Sequence, residues 1–363
     1  MTYKTDNINW RVDRNKRTKY DPGSIRPAPP PTAMERKQSR FTEIEQTMKY
    51  KSVVLTKKGP PEVLQIIEKD LRPPQAGEAL IRVLATGVGR TDIVMRYGYY
   101  PFAPKIPFTP GYEIVGVVEA VGENVTRVEV GDRVAALTVY GGYAEYIYLN
   151  EDDLVKVSEA LDPAQAAALI LNYGTAYQML HRLAGVKSGD RVLITGASGG
   201  VGTALLQLGK LANLTMYGTA SGNKQAVLTE YGAIPIDYQS QNFVDVIRKR
   251  ETDGVDYVFD GIGGMNIQPG FQILRRGGQF VEYGYSGIFQ FLIDNLRLQI
   301  FDWLPNGKSG DFFGITAIYR NDKGSIIEDL RMLFSLLEAA KANELLESGE
   351  VIGKIVLLAP DLM

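Results

Sequence analysis

One stretch of this chain constrains its fold more than any other. Arg191 to Thr195 is a short β-rich run, and it leads directly into Gly196-Ala197-Ser198-Gly199-Gly200-Val201-Gly202. The chain then turns helical, with Leu205, Leu206 and Leu208 on an apolar side. Around this strand–turn–helix unit the same alternation continues. A helix over Asp162 to about Ala184 precedes it, and strands are expected at Leu214–Tyr217, Ile234–Ile236, Asp256–Phe259 and Gln279–Tyr283, with amphipathic helices such as Phe243–Lys249 between them. Repeated βα units of this kind predict a doubly wound parallel sheet with helices on both faces.

In that setting a glycine run carries chemical meaning. Small residues let the backbone approach a pyrophosphate, and the first turn of the following helix offers free N–H groups and the positive end of a dipole. Gly196, Ala197, Ser198, Gly199, Gly200, Val201 and Gly202 are therefore candidate dinucleotide contacts in a Rossmann-type domain. An NAD site usually places an acid at the end of the second strand, roughly 20 residues on, to hold the ribose hydroxyls. Tyr217-Gly218-Thr219-Ala220-Ser221 has none, so nothing there repels a 2′-phosphate. Ser221, Lys224 and Tyr238 are candidate donors to that phosphate, which favours NADPH over NADH. The plainer reading of Lys224 is a solvated helix residue.

Upstream the texture differs. From Met48 the chain has short β-rich runs at Lys51–Leu55, Glu78–Leu84, Glu113–Val121 and Gly142–Leu149, punctuated by Gly and Pro, which predicts an antiparallel or barrel-like first domain. Residues 1–47 carry ten Lys or Arg, six Asp or Glu and the cluster Pro27, Pro29, Pro30, Pro31, with little apolar periodicity. They read as a disordered or loosely docked tail, with neither the acid-poor composition of a transit peptide nor the apolar core of a secretory signal. A partner-binding arm is the alternative.

Composition removes whole classes of chemistry. The 363 residues contain no cysteine and one histidine, His181, which leaves no thiolate zinc site, no two-histidine metal centre and no Cys nucleophile. His181 lies in the apolar stretch Ala166–Ala184 and reads as a structural helix residue rather than a triad base. The net charge of −2 has no basic concentration suited to nucleic acid, and no apolar run approaches the roughly 20 residues of a membrane span. A cytoplasmic protein acting on a small molecule is expected.

Several stretches together resemble the medium-chain dehydrogenase/reductase superfamily over about Met48 to the C-terminus. They are Gly59-Pro60-Pro61-Glu62-Val63-Leu64, Phe108-Thr109-Pro110-Gly111-Tyr112-Glu113, Val118-Glu119-Ala120-Val121-Gly122, Gly141-Gly142-Tyr143-Ala144-Glu145-Tyr146, Asn172-Tyr173-Gly174-Thr175-Ala176-Tyr177 and the glycine turn. Within it, the zinc-free quinone oxidoreductases of zeta-crystallin type are similar, with the vesicle amine transport protein branch close. Zinc members have a Cys where this chain has Gly89 and a His where it has Tyr112, and the four-cysteine structural lobe is missing.

The resemblance implies an α/β architecture: a GroES-like, mostly-β catalytic domain over 48–162, a Rossmann cofactor domain over 163–308, a dimer-type strand and helix over 309–337, and a return to the catalytic domain over 338–363. It places Asn172 and Thr175 beside the nicotinamide and Gly261, Gly284 and Tyr285 in loops covering the cofactor. The strand near Asp311–Ile315 is expected to pair across a homodimer. In relatives a segment, commonly of the form Gly-Lys-Ile-x-Pro, separates the helix Asp329–Leu337 from the one beginning near Glu338; here Leu337 joins Glu338 directly.

Without a Lewis acid, an oxyanion forming on a simple ketone has no strong electrophile to hold it. A quinone or an α,β-unsaturated carbonyl spreads the incoming charge over its own conjugated system, so positioning near the nicotinamide and a few donors suffice. Candidate catalytic donors are Arg90, Tyr112 and Asn172, with Asp92 orienting a neighbour and packing as the alternative role of each. Tyr97, Tyr99, Tyr100 and Phe102 either wall a flat pocket or pack in the core. The expected function is hydride transfer from NADPH to a quinone or enone. The alternatives are a catalytically weak NADPH-binding sensor or interaction protein, and an enoyl reductase-like module.

Overall fold

The computed structural model describes residues 48–284 and 287–347; the expectations for the tail of residues 1–47, for Tyr285 and for residues 348–363 fall outside the described residues. The first described elements are β1 (Lys49–Leu55) and β2 (Leu64–Asp70), an antiparallel pair. β3 (Glu78–Thr86), α1 (Arg90–Arg96), β4 (Glu113–Val121), β5 (Arg133–Leu137), β6 (Tyr146–Asn150) and β7 (Val155–Lys156) follow. β3 to β7 form a five-stranded antiparallel sheet in the order β6-β3-β4-β5-β7.

Alternation within β4 divides its side chains between two cores. Ile114 and Val118 pack with Ile81 and Val134 on one face, while Val115 joins Leu137 and the helices on the other. β2 escaped the sequence reading because its apolar residues point outward: Ile66 and Ile67 are both exposed. The strand expected from Gly142 begins at Tyr146, because Gly141, Gly142 and Tyr143 are taken up in a turn whose N–H groups bond the carbonyls of Thr109, Gly111 and Pro110.

Asp162 then caps α2 (Pro163–Tyr177) by accepting from the N–H groups of Ala164 and Gln165, each at 3.0 Å, with Pro163 in the first turn where a missing donor costs nothing. The helix continues through one wider π-type turn, Gln178–Leu183. Next come β8 (Arg191–Thr195), α3 (Gly200–Leu211), β9 (Thr215–Ala220), α4 (Gln225–Glu230), β10 (Ile234–Asp237), α5 (Phe243–Arg250), β11 (Val255–Asp260), α6 (Ile267–Ile273), β12 (Leu274–Glu282), α7 (Ile288–Trp303) and β13 (Ser309–Phe312). Their six strands are all parallel, in the order β10-β9-β8-β11-β12-β13. The central strand β8 is apolar throughout its middle, with Val192, Leu193 and Ile194 buried, as a strand covered on both faces must be.

The chain order reverses between β8 and β11, so a crevice opens at the carboxyl ends of these two strands, where open α/β sheets bind ligands. β13 ends earlier than the strand expected over Asp311–Ile315, and Ile315 opens α8 (Ile315–Asn321). The direct junction of Leu337 and Glu338 falls inside one helix. α9 (Lys323–Glu347) runs through the junction unbroken, since Leu336, Leu337, Glu338, Ala339 and Ala340 are strong helix formers with no Gly or Pro among them. α9 is anchored to the π-type turn by Asp329, which accepts from Gln178 at 2.6 Å and from Arg182. No helix among the described residues is long and apolar enough to cross a membrane.

Candidate active-site cleft

The glycine turn is assembled by its own backbone. Gly196 adopts φ +63, a conformation glycine reaches without strain, and its N–H reaches the Thr219 hydroxyl at 3.2 Å while the N–H of Ala197 bonds the Thr219 carbonyl at 3.0 Å. The N–H of Gly199 closes back on the carbonyl of Gly196 at 2.9 Å, and α3 begins at the next residue. A Cβ on Gly202 would stand 2.5 Å from the Gly196 oxygen and 2.7 Å from the Ala197 carbonyl carbon, so only glycine lets this helix approach this strand. Ser198 is half-buried and Gly199 and Gly200 are exposed at the helix start. Ala197 is buried, its methyl against Gly218, and offers the crevice backbone only.

α2 contributes from the side. A Cβ on Gly200 would lie 2.7 Å from Nδ2 of Asn172, which sets this half-buried amide against the start of α3. Thr175 lies one turn further along and is buried. The contact between α2 and α3 thus brings Asn172 to the glycine turn.

At the sheet's other flank β9 and β10 end flush, with Ala220 opposite Asp237. Ser221 donates to Asn223 at 2.8 Å, while Lys224 and Tyr238 are exposed. Sequence reading missed Asp237. Its carboxylate lies 3.1 Å from where a Cβ of Gly222 would be, and it accepts from the N–H of Gln239 and the hydroxyl of Ser240, each at 3.1 Å. The preference of Asp for turn positions just after a strand was the available signal.

β11 ends in Asp260, which is fully buried. Its carboxylate accepts from the Thr195 hydroxyl, the Asn266 amide at 3.2 Å and the N–H groups of Ile262 and Gly263 at 3.2 and 3.0 Å. Burial raises this carboxyl while these four donors hold it down. The result is a fixed Gly261–Gly264 loop whose Ile262 side chain reaches to 3.2 Å from the position of a Cβ on Gly196. Gly284 packs directly on the Gly261 carbonyl. Gly261 and Gly284 therefore lie together, in a loop that reaches the glycine turn through Ile262.

On the β-rich side, Asp92 accepts from the N–H of Gly89 at 2.8 Å and of Gly111 at 3.1 Å, tying α1 to the turn that carries Tyr112. Tyr112 is almost fully buried. Its hydroxyl bonds those of Tyr100, at 2.7 Å, and of Thr316, and Tyr100 bonds Thr316 at 2.5 Å. Thr316 belongs to α8, more than 200 residues away in sequence, and no sequence signal marks it. Glu113, next to Tyr112, is buried with Oε2 lacking a partner; burial, and then Asp92, push its carboxyl up to about 8. A cavity of ≈ 310 Å³ opens beside Tyr100, lined also by Lys58, Met95, Ala103, Ile106 and Phe108.

The remaining candidates separate. Arg90 is exposed at the start of α1. Tyr97 and Tyr99 stack on each other at the surface, whereas Tyr100 meets Phe102 and Tyr112 edge-on. His181 is exposed, its ring 4.5 Å from that of Tyr177.

Residues 75–159 match the alcohol dehydrogenase GroES-like domain, and residues 200–305 match the domain described as zinc-binding dehydrogenase. The chain is 36% identical over 247 residues to a synaptic vesicle membrane protein VAT-1 homolog of Danio rerio, covering 67% of this chain and 51% of that protein. Against a quinone oxidoreductase of Pongo abelii it is 37% identical over 237 residues, covering 64% and 72%. The chain spans only about half the length of that VAT-1 homolog.

Two solved structures have the same fold. A quinone oxidoreductase of Pseudomonas syringae superposes with TM-score 0.72 at 30% identity over 80% of this chain and 89% of its own. Mycobacterial Rv1454c complexed with NADPH gives 0.68 at 27%, over 84% and 91%. The zinc named in one family description does not fit these residues. The chain has no Cys, the Tyr112 hydroxyl is engaged by Tyr100 and Thr316, and no three His, Cys, Asp or Glu among the described residues stand together as ligands.

Proposed function

The chain belongs to the medium-chain dehydrogenase/reductase family, and from that premise we propose that it is a zinc-free oxidoreductase that binds NADPH and reduces a quinone or an α,β-unsaturated carbonyl. The observation that carries this reading is the glycine turn closed on Thr219, with Gly202 packed on Gly196 and Ile262 alongside. The N–H groups opening α3 would hold the pyrophosphate, Asn172 and Thr175 would flank the nicotinamide, and Gly261 and Gly284 would cover it. Ser221, Lys224 and Tyr238 would take the 2′-phosphate, with Asp237 kept aside by its bonds to Gln239 and Ser240. The relative with bound NADPH supports the choice of dinucleotide.

When bound, NADPH supplies the hydride. This chain's part is to orient a conjugated acceptor and exclude water from it. Tyr100, which lines the cavity, is the donor we place nearest the acceptor, with Tyr112 and Thr316 bonded to its hydroxyl; Asn172 would act from the glycine-turn side. Arg90, exposed, would act at the mouth. The homodimer is part of the proposal: β13 is an edge strand, and α7 leaves Phe289 and Trp303 largely exposed beside it.

The test is NADPH consumption by the purified full chain with a panel of ortho-quinones and enones. Turnover that is much slower with NADH supports the reading. Tight NADPH binding with no turnover on any acceptor supports instead a catalytically weak NADPH-binding protein of the VAT-1 branch. The match to a VAT-1 homolog is the observation that favours that second reading.

A further inference from the structure

Behind the glycine turn, at the carboxyl ends of β11 and β12, three acidic side chains have no solvent exposure at all: Asp260, Glu282 and Asp294. Two are compensated. Asp260 holds the Gly261–Gly264 loop through the donors described above. Asp294, on α7, accepts from the N–H of Gly264 at 3.0 Å and from Gln290 at 2.7 and 2.8 Å, with the Arg297 guanidinium at 3.4 Å.

Glu282 is not compensated. Both of its oxygens are buried with no donor aimed at them, and the side chain within hydrogen-bond reach is the Asp294 carboxyl, to which only a neutral Glu282 could donate. A Cβ on Gly263 would come 2.5 Å from Glu282 Oε1 and 3.2 Å from Asp294 Oδ2, so the two carboxyls flank one backbone point of the loop. The charged groups facing Glu282 are Asp294 and Arg297 from α7 and Asp260 from β11. Among the described residues Arg297 is the cation facing it, and it is already bonded to Asp294 and the Gly264 carbonyl. An ionised, unpaired carboxylate facing two others in a dry setting is unstable, whereas the neutral acid is tolerated.

We propose that Glu282 is kept as a neutral carboxylic acid and serves as a positioning residue for the Gly261–Gly264 loop, so that loss of its proton to water moves the loop off the glycine turn and weakens dinucleotide binding. The inference rests on the dinucleotide reading for its consequence, but not for its protonation. Burial first, then Asp294 and Asp260, push Glu282 up to about 9, which puts the transition on the alkaline side of neutrality. Above it a charge appears on Glu282 beside the Asp294 and Asp260 carboxyls, and the loop that carries Ile262 loses the packing that held it.

The test uses the full chain in two measurements. Without nucleotide, in protein labelled with carboxyl-13C glutamate, the resonance missing from Glu282→Gln is expected to titrate above pH 8; titration in the ordinary carboxylate range overturns the proposal. With NADPH, the wild-type dissociation constant is expected to rise about tenfold for each pH unit above the transition. Glu282→Gln, or Glu282→Leu if the amide variant does not fold, escapes that rise. An equal rise in wild type and variant overturns the proposal. If no chain binds NADPH at pH 8, the dinucleotide reading is what has failed, and the carboxyl titration still decides the state of Glu282.

Discussion

The two regions that the proposed function assigns to dinucleotide and acceptor are built in opposite ways. The proposed dinucleotide side is made of backbone: consecutive residues from Thr195 to Gly202, held by Thr219 on the neighbouring strand and by a loop pinned on Asp260. The proposed acceptor side is made of side chains from distant segments, with Tyr100, Tyr112 and Thr316 joined through three hydroxyls. A backbone site tolerates change everywhere except where a Cβ has no room. A hydroxyl cluster tolerates changes of shape but not the loss of one polar partner.

Gly202→Val should therefore have the largest effect. Its branched side chain would meet the Gly196 oxygen and the Ala197 carbonyl, both backbone and unable to yield. NADPH affinity measured by fluorescence titration is expected to fall more than about a hundredfold, on the order of 3 kcal/mol. A variant that binds normally would show that the helix does not need to approach this strand.

Second in size is a pH effect beside Tyr112, in the β-rich region. Glu113 has its folded-state pKa raised from the usual 4.5 to about 8. The stability this gives is complete below about pH 4.5, drains away as the pH rises through 8, and is gone above it, because only the unfolded chain releases the proton easily. Between pH 6 and pH 9, urea denaturation of the wild type should lose about 2–3 kcal/mol that Glu113→Gln does not lose. Parallel pH profiles for the two chains would place the Glu113 carboxyl in water.

Thr316→Val comes next. It keeps the shape of the side chain and deletes the hydroxyl that joins Tyr100 to Tyr112, and it is expected to cost about 1–2 kcal/mol by urea denaturation. Quinone turnover should fall while NADPH affinity stays constant, and a matching loss of NADPH affinity would break the separation between the two sides. The smallest expected effect is that of Lys224→Ala, about 1 kcal/mol or fivefold weaker binding of NADPH with NADH unaffected. Equal weakening of both dinucleotides would make Lys224 a general surface charge.

The same contrast explains what could be read from the sequence. The sheet of β8 to β12 and the residues Asn172, Gly196–Gly202, Gly261 and Gly284 were legible because strand period, glycine spacing and helix start all fall within short windows. β2 was not, because its apolar residues face outward. Thr316 and Glu282 carried no signal at all. Their roles depend on what tertiary structure sets beside them, a pair of tyrosines in one case and two further carboxyls in the other.

The most direct measurement is a calorimetric titration of the full chain, and of Gly202→Val, with NADPH and NADH. One NADPH per chain, bound more tightly than NADH and lost in the variant, is the expected result. No binding of either dinucleotide, or binding that survives Gly202→Val, would contradict the assignment of the turn after Thr195 as the dinucleotide site.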